Sequence, residues 1–157
     1  MTNNDIKNAS LVRKSIKNVR TVLMSKSLKD LKIFDIISAA EISRSRFFSF
    51  FGSINTILEL VISEELIKCY QLISQNVIAI DSKELITVEL KQLRTIYFRN
   101  NPILFDYYSN VNKLPDRYNV LKEAVALKER ELYATTLASN IINLGSYQRA
   151  DKSTKYE

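Results

Sequence analysis

The segment AAEISRSRFFSFFGSINTILELV, residues 39–61, places four phenylalanines beside two arginines. In an α-helix, Phe47 and Phe51 share one face because they are four residues apart. Phe48 and Phe50 cannot both share that face, so at least one large ring is expected to face outward next to an arginine. The segment therefore either carries a second apolar surface or docks on a partner.

Composition predicts an all-α fold. The chain has 157 residues, of which 46% are hydrophobic, but only two are glycine and two are proline. Sheet proteins need turn residues between successive strands, and this chain does not supply them. It also has no apolar run long enough to span a bilayer and no apolar signal core at its N-terminus. We expect a soluble, cytoplasmic, helical protein with no membrane partner.

The residue types that most often perform catalysis are scarce. The chain has no histidine, which removes the commonest general base and the commonest transition-metal ligand. There is no phosphate-binding glycine loop and no glycine elbow around a serine. The single cysteine, Cys69, is interpreted as a buried structural thiol. We therefore predict no enzyme activity, no catalytic residue, no cofactor and no metal.

Positive charge is concentrated near the N-terminus. Residues 1–58 contain ten lysines and arginines against four acids, a net charge of +6 that accounts for the excess of the whole chain. Residues 59–157 contain thirteen of each sign. Such asymmetry indicates either a site for a polyanion at one end or a basic solvated surface with no partner.

Apolar residues recur at helical spacing along most of the chain. Asp30, Ser43, Ser53 and Ser82 are candidate N-caps, and Gly145 is a candidate left-handed C-cap. A polar, frayed tail is expected after the last helix. The predicted helices cover residues 7–25, 31–39, 43–50, 53–80, 83–100, a short helix that starts at or after Pro102, and 116–144.

Two apolar patterns in the C-terminal part have alternative interpretations. The helix at 116–144 carries a stripe rich in small residues, which suits a homodimer interface or packing onto its own domain. Aromatic residues at 97–98 and 105–108 could form the walls of a ligand pocket or part of the core. In the helix at 83–100, the residues expected to face inward are Leu85, Val88, Leu93, Ile96 and Tyr97.

The second and third predicted helices are joined by the short connection AEI. Apolar anchors at Ile36, Ala40, Ile42 and Phe47 would hold these helices at an angle, which is the layout of a helix-turn-helix. The predicted organisation is an N-terminal three-helix domain of this kind followed by a C-terminal helical bundle. The predicted boundaries are 1–52 for the DNA-binding domain, 53–146 for the dimerisation and effector domain, and 147–157 for the polar tail.

Residues 8–62 resemble the N-terminal DNA-binding domain of the tetracycline-repressor family. The resemblance lies in the basic first helix and in the segment IFDIISAAEISRSRFFSFFGSINTIL. The matching positions are Ile33, Asp35, Ile36, Ala40, Ile42, Ser43, Arg44, Phe47, Phe51, Ile57 and Leu58.

The chain also departs from the family pattern. Glu41 replaces the turn glycine, at a position where a positive φ would cost a side chain about 1 kcal/mol. Lys32 and Arg46 replace threonines and add positive charge. Phe48 replaces a tyrosine that contacts phosphate, and Ile54 replaces a lysine.

The resemblance implies a DNA-binding transcriptional regulator, typically a repressor, that binds a palindromic operator as a homodimer through the helix at 116–144. A small-molecule or protein effector in the C-terminal domain would release it from DNA or modulate its binding. The alternative is a related helical coregulator that acts mainly through protein–protein contacts. The predicted DNA-binding residues are Lys32, Ser43, Arg44, Ser45, Arg46, Phe48, Phe50 and Ser53.

Some of these predicted DNA-binding residues also have a second interpretation. Arg44 and Arg46 either contact DNA or are solvated surface charges. The rings of Phe48 and Phe50 either pack on thymine methyl groups and sugars or fold back against the first helix.

Overall fold

The computed structural model describes the backbone of residues 1–78 and 82–154, and the side chains of residues 1–78 and 82–142. Within these ranges all regular structure is helical, which confirms the all-α prediction. The α-helices are α1 (Asn3–Ser25), α2 (Ile33–Ala39), α3 (Arg44–Phe51), α4 (Ile54–Asn76), α5 (Lys83–Arg99), α6 (Pro102–Asn110) and α7 (Asn119–Thr154). Short 3-10 helices cover Leu28–Asp30, Val111–Lys113 and Asp116–Tyr118.

Two of the four predicted serine and aspartate caps are confirmed. The Ser43 hydroxyl accepts a hydrogen bond from the N–H of Arg46 at 3.2 Å. The Ser82 hydroxyl accepts one from the N–H of Leu85 at 3.1 Å. Each bond satisfies one of the free N–H groups in the first turn of its helix.

The cap predicted at Asp30 is wrong, and the cap predicted at Ser53 is confirmed in its position only. Asp30 ends a 3-10 helix and does not cap α2, which begins at Ile33. Asp35 instead stabilises that end, since its carboxylate accepts a hydrogen bond from the N–H of Lys32 at 2.9 Å. Ser53 holds the N-cap position of α4, but its side chain makes no capping hydrogen bond.

Several helix ends also differ from the prediction. α1 starts at Asn3 because the Thr2 hydroxyl accepts from the N–H of Asp5 at 3.2 Å, while the Asp5 carboxylate accepts from the N–H of Thr2 at 2.9 Å. α4 ends at Asn76, because Val77 is extended. The predicted end near residue 80 and the predicted break at Asp81 lie outside the described residues.

The last helix is longer than predicted. α7 starts at Asn119, after a 3-10 turn, and continues through Gly145 to Thr154. Gly145 is therefore not a C-cap, and residues 147–154 are not a frayed tail. A glycine inside a helix costs about 1 kcal/mol relative to alanine, and no proline follows to stop the helix.

Helix α4 is the centre of the fold and contacts each of the other six α-helices. Most apolar side chains of α4 are buried, and so is Cys69, as expected. One cluster of buried side chains, with members from Val19 to Val125, joins the N-terminal helices to the C-terminal ones. The position of α3 is therefore fixed by the same core that α5, α6 and α7 share.

The predicted inward face of α5 is partly wrong. Leu93 and Tyr97 pack against the core, but Leu85, Val88 and Ile96 are about half exposed. The buried positions of α5 are Ile86, Leu90 and Phe98. The apolar residues of this helix are distributed so widely that its spacing alone does not fix one buried face.

Among the described residues, no single helix is both long and apolar enough to cross a bilayer. α3 and α4 together meet the length and composition test, but the pair is bent by 62°.

Candidate nucleic-acid interface

Helix α3 is a short element fixed firmly at both ends and on one face. Ser43 caps its start, and Gly52, with φ of 72°, ends it in a left-handed conformation that suits glycine. Phe47 and Phe51 are buried, with ring centroids 5.2 Å apart. The predicted inward pair is confirmed, and the opposite side of α3 must therefore face away from the core.

Both arginines of α3 are exposed to solvent. Arg44, Ser45 and Arg46 are exposed, and in the described part of the chain no ion pair involves either arginine. Phe48 is 36% exposed, and the Arg44 guanidinium lies 5.5 Å from its ring centroid. This cation–π contact holds a charge beside an exposed apolar ring.

The remaining predicted site residues lie at different places. Phe50 is partly buried and packs against the core, with its ring centroid 6.5 Å from that of Phe51. Phe50 is therefore turned partly inward, but the ring contact is with Phe51 of the same helix and does not test the alternative in which a ring folds back against the first helix. Lys32 is exposed just before α2, and Ser53 is partly exposed just before α4. The structure therefore gathers Ser43, Arg44, Ser45, Arg46 and Phe48 on one helix, while Lys32 and Ser53 belong to the starts of other helices.

The connection between α2 and α3 turns sharply at Glu41, whose φ is 57°. This residue stands where the resemblance expects glycine, and it adopts the positive φ that the resemblance implies. Nearby, the Ser15 hydroxyl of α1 is buried and donates to the backbone carbonyls of Leu11 and Ala40, at 2.8 and 3.1 Å. The turn is thus tied to the middle of α1.

The two acids that precede α3 most closely in the sequence are paired with lysines. Glu41 lies 3.6 Å from the Lys14 ammonium, and Asp35 lies 3.4 Å from the Lys26 ammonium. The hydrogen bond from the Lys32 N–H, aided by the Lys26 charge, lowers the pKa of Asp35. Lys14 lies in α1 and Lys26 directly follows it, so neither of these two acids is paired with an arginine of α3.

One exposed aromatic residue was missed by the sequence analysis. Phe34, on α2, is 74% exposed. The signal was available, because a helix that buries Ile36, Ile37 and Ala40 must turn residue 34 outward. Phe34 is therefore a second outward ring in the N-terminal region, in addition to Phe48.

In the described part of the chain, no three His, Cys, Asp or Glu side chains are grouped so that they could hold a metal ion. The comparisons with known proteins found no match: no family model, no curated protein and no solved structure is similar to this chain.

Proposed function

We propose that this protein is a DNA-binding transcriptional regulator that inserts α3 into the major groove. The observation that carries the proposal is that both arginines of α3, Arg44 and Arg46, are exposed and form no ion pair among the described residues, and that Arg44 lies over the exposed ring of Phe48. Arginine forms bidentate hydrogen bonds with guanine and strong contacts with phosphates, and an aromatic ring can pack on a thymine methyl group.

The connection before α3 also supports this function. α2 and α3 are separated by residues 40–43, with the turn at Glu41 and a buried anchor at Ala40. A helix-turn-helix joins its two helices by a turn of this length and presents the second helix to the groove. The net charge of +6 in residues 1–58 would attract the phosphate backbone over a longer range.

The proposal is tested by the double variant Arg44→Ala plus Arg46→Ala. Duplexes selected from a random pool should bind the wild type, and its affinity should fall steeply between about 50 and 200 mM salt. If each arginine makes one base or phosphate contact, the double variant should bind about 100-fold more weakly. Fluorescence anisotropy with a labelled duplex measures both effects.

A matched control variant distinguishes the loss of specific groove contacts from the loss of net positive charge. Arg99→Ala plus Lys113→Ala removes the same charge from exposed positions in the C-terminal half. This variant should keep at least about a third of the wild-type affinity, because a distant exposed charge is screened by salt. Equal losses in the two double variants, or no selected duplex at all, would refute insertion of α3.

A homodimer through α7 forms part of the proposal. Val120, Leu127 and Ala134 recur every seven residues and are all exposed, the first two at 63% and 50%. The opposite side of this helix is buried at Leu121 and Val125. A heptad spacing of exposed apolar residues suits packing against a second helix, and a two-fold dimer would match a palindromic operator.

Leu127→Glu is expected to separate the dimer, because a charge would lie in the apolar seam. Light scattering should then report a mass near the 18.1 kDa of one chain, in place of twice that value. Affinity for a palindromic duplex should fall by about 10-fold or more, since one half-site is lost. Leu72→Glu, at another exposed leucine on α4, is the control that should leave the mass unchanged.

Protein–protein contact is the second candidate function, and the exposed ring of Phe34 favours it. Aromatic residues, phenylalanine among them, are enriched in protein interfaces relative to the rest of the surface. Phe34→Ala distinguishes the two functions. If the protein is a coregulator, Phe34→Ala should abolish binding to the partner protein, whereas Arg44→Ala plus Arg46→Ala should not.

A further inference from the structure

A groove of about 280 Å³ lies between the C-terminal end of α1 and the segment that carries α2. Its apolar walls, which define the α1–α2 groove, are Val22, Leu31, Phe34 and Ala39. The groove is slightly smaller than typical small-molecule sites, which measure about 300–1,000 Å³. Its size and its apolar walls therefore suit one anchoring side chain of a larger partner.

The ring of Phe34 forms the outer wall of the groove. It is 74% exposed, against 36% for Phe48. Ile36 and Ile37, on the same short helix, are buried in the core, so the backbone that carries the ring is fixed. An aromatic ring on a fixed backbone has little conformational freedom to lose when a partner covers it, so its burial contributes efficiently to affinity.

The edge of the groove carries more positive than negative charge. Lys26 and Asp35 both line it, and their charged groups are 3.4 Å apart. The pKa of Asp35 is lowered first by the hydrogen bond from the Lys32 N–H, and then by the charges of Lys26 and Lys32. Two lysines therefore share one carboxylate at this edge.

The charge of Lys32 remains available to a partner. Lys32 is exposed and forms no ion pair among the described residues. Residues 1–58 as a whole carry a net charge of +6. A partner with carboxylates is attracted to such a surface, and a basic partner is repelled.

We propose that the α1–α2 groove binds an acidic, amphipathic segment of another protein. An apolar side chain of that segment packs against Phe34 inside the groove, and a neighbouring carboxylate pairs with Lys32. The inference rests on the second candidate function, protein–protein contact, and specifies the chemistry of the partner. It does not require the protein to bind DNA.

Three other occupants fit the groove less well. Duplex DNA presents hydrogen-bonding edges, phosphates and the thymine methyl group, which is too small to fill the groove. A second copy in a two-fold dimer would bring the same positive surface to the contact. A lipid surface would accept the exposed ring of Phe34 but has no side chain to enter the groove.

The test selects peptides that bind the full chain from a phage library, in the absence of DNA. The library displays random peptides of about 16 residues, which is long enough for about four helical turns. The selected peptides should have a net negative charge and apolar residues spaced three or four positions apart. Labelled synthetic copies then give dissociation constants by fluorescence anisotropy.

Two pairs of variants locate the binding site. Phe34→Ala should weaken binding of the selected peptides at least about 10-fold, whereas Phe105→Ala, at a ring of α6 that is 54% exposed, should leave it unchanged. Lys32→Glu should weaken binding about 10-fold, because it places a like charge opposite the carboxylates of the peptide. Lys113→Glu, at an exposed lysine of the C-terminal half, should change it less than about 2-fold. Circular dichroism checks that each variant is folded.

Several outcomes would overturn the docking site. They are the failure to select any peptide, the selection of neutral or basic peptides, and equal losses for Phe34→Ala and Phe105→Ala. Sedimentation with vesicles of phosphatidylserine and phosphatidylcholine tests the lipid alternative, and vesicle binding that needs Phe34 would assign the surface to a membrane instead. A lower mass of Phe34→Ala in light scattering would assign the groove to a second copy.

The peptide measurements are independent of DNA recognition. Arg44→Ala plus Arg46→Ala should bind the selected peptides as the wild type does. If no duplex binds in any condition, the DNA-binding function is refuted and the peptide result stands. If a duplex binds but no peptide is selected, only the docking site is refuted.

Discussion

Phe47→Ala is expected to destabilise the protein by about 3–5 kcal/mol, because the side chain is completely buried and its removal leaves a cavity. The ring also packs against Phe48 and Phe51, with centroids 5.4 and 5.2 Å apart. A domain of this size has about 5–15 kcal/mol of stability, so the loss is a large share. Urea denaturation followed by circular dichroism measures it.

Phe48→Ala is the matched control, one residue further along the same helix. Its ring is partly exposed, so truncation should cost about 1 kcal/mol, mainly the contacts with Arg44 and Phe47. The same variant should weaken duplex binding while it remains folded. Similar destabilisation by the two substitutions would mean that α3 is not anchored by one face, and the assignment of its outward side would be wrong.

The sequence was sufficient to predict α3 because its cues are local. Ser43 marks its start, and the spacing of Phe47 and Phe51 marks its buried side. Each cue acts within one or two helical turns, so it can be recognised without knowing the rest of the fold. The sequence was also sufficient to predict α4. This helix is buried on several sides, so most of its apolar residues face the core in any arrangement.

The predictions from sequence were wrong or incomplete where burial or pairing depended on residues far away in the sequence. Leu85, Val88 and Ile96 were expected to be buried, but α4 and α7 contact a different side of α5. The ion pair between Arg94 and Glu129 joins residues 35 positions apart, and neither residue has a motif that identifies it. Gly145 was a plausible local stop, but no local rule requires a helix to end at glycine.

Glu65→Ala is expected to cost about 3 kcal/mol, because it removes the acceptor at a buried junction of three helices. From α4, the Glu65 carboxylate accepts from the Arg20 guanidinium of α1, and at 2.9 Å from the side-chain amide of Asn101. Asn101 in turn caps α6 by accepting from the N–H of Leu104 at 3.1 Å. Glu64→Ala, at the exposed neighbouring position, should cost less than about 0.5 kcal/mol.

The charge of Glu65 adds a dependence on pH. Burial opposes ionisation, but the Asn101 hydrogen bond and the charges of Arg20 and Lys68 outweigh it and lower the pKa of Glu65. Since the folded pKa lies below the unfolded one, the unfolded chain takes up protons first as the pH falls. The stabilisation is therefore present at neutral pH and is lost on acidification through the folded pKa.

Glu65→Gln isolates that charge, because the amide oxygen can still accept from Asn101. Urea denaturation at about pH 7 and about pH 4 should show a smaller loss of stability on acidification in this variant than in the wild type. At neutral pH it should be less stable than the wild type but more stable than Glu65→Ala. Identical pH dependence in the wild type and Glu65→Gln would mean that Arg20 and Lys68 do not stabilise the ionised carboxylate. The junction between α1, α4 and α6 would then be held by packing and by hydrogen bonds that do not need the charge.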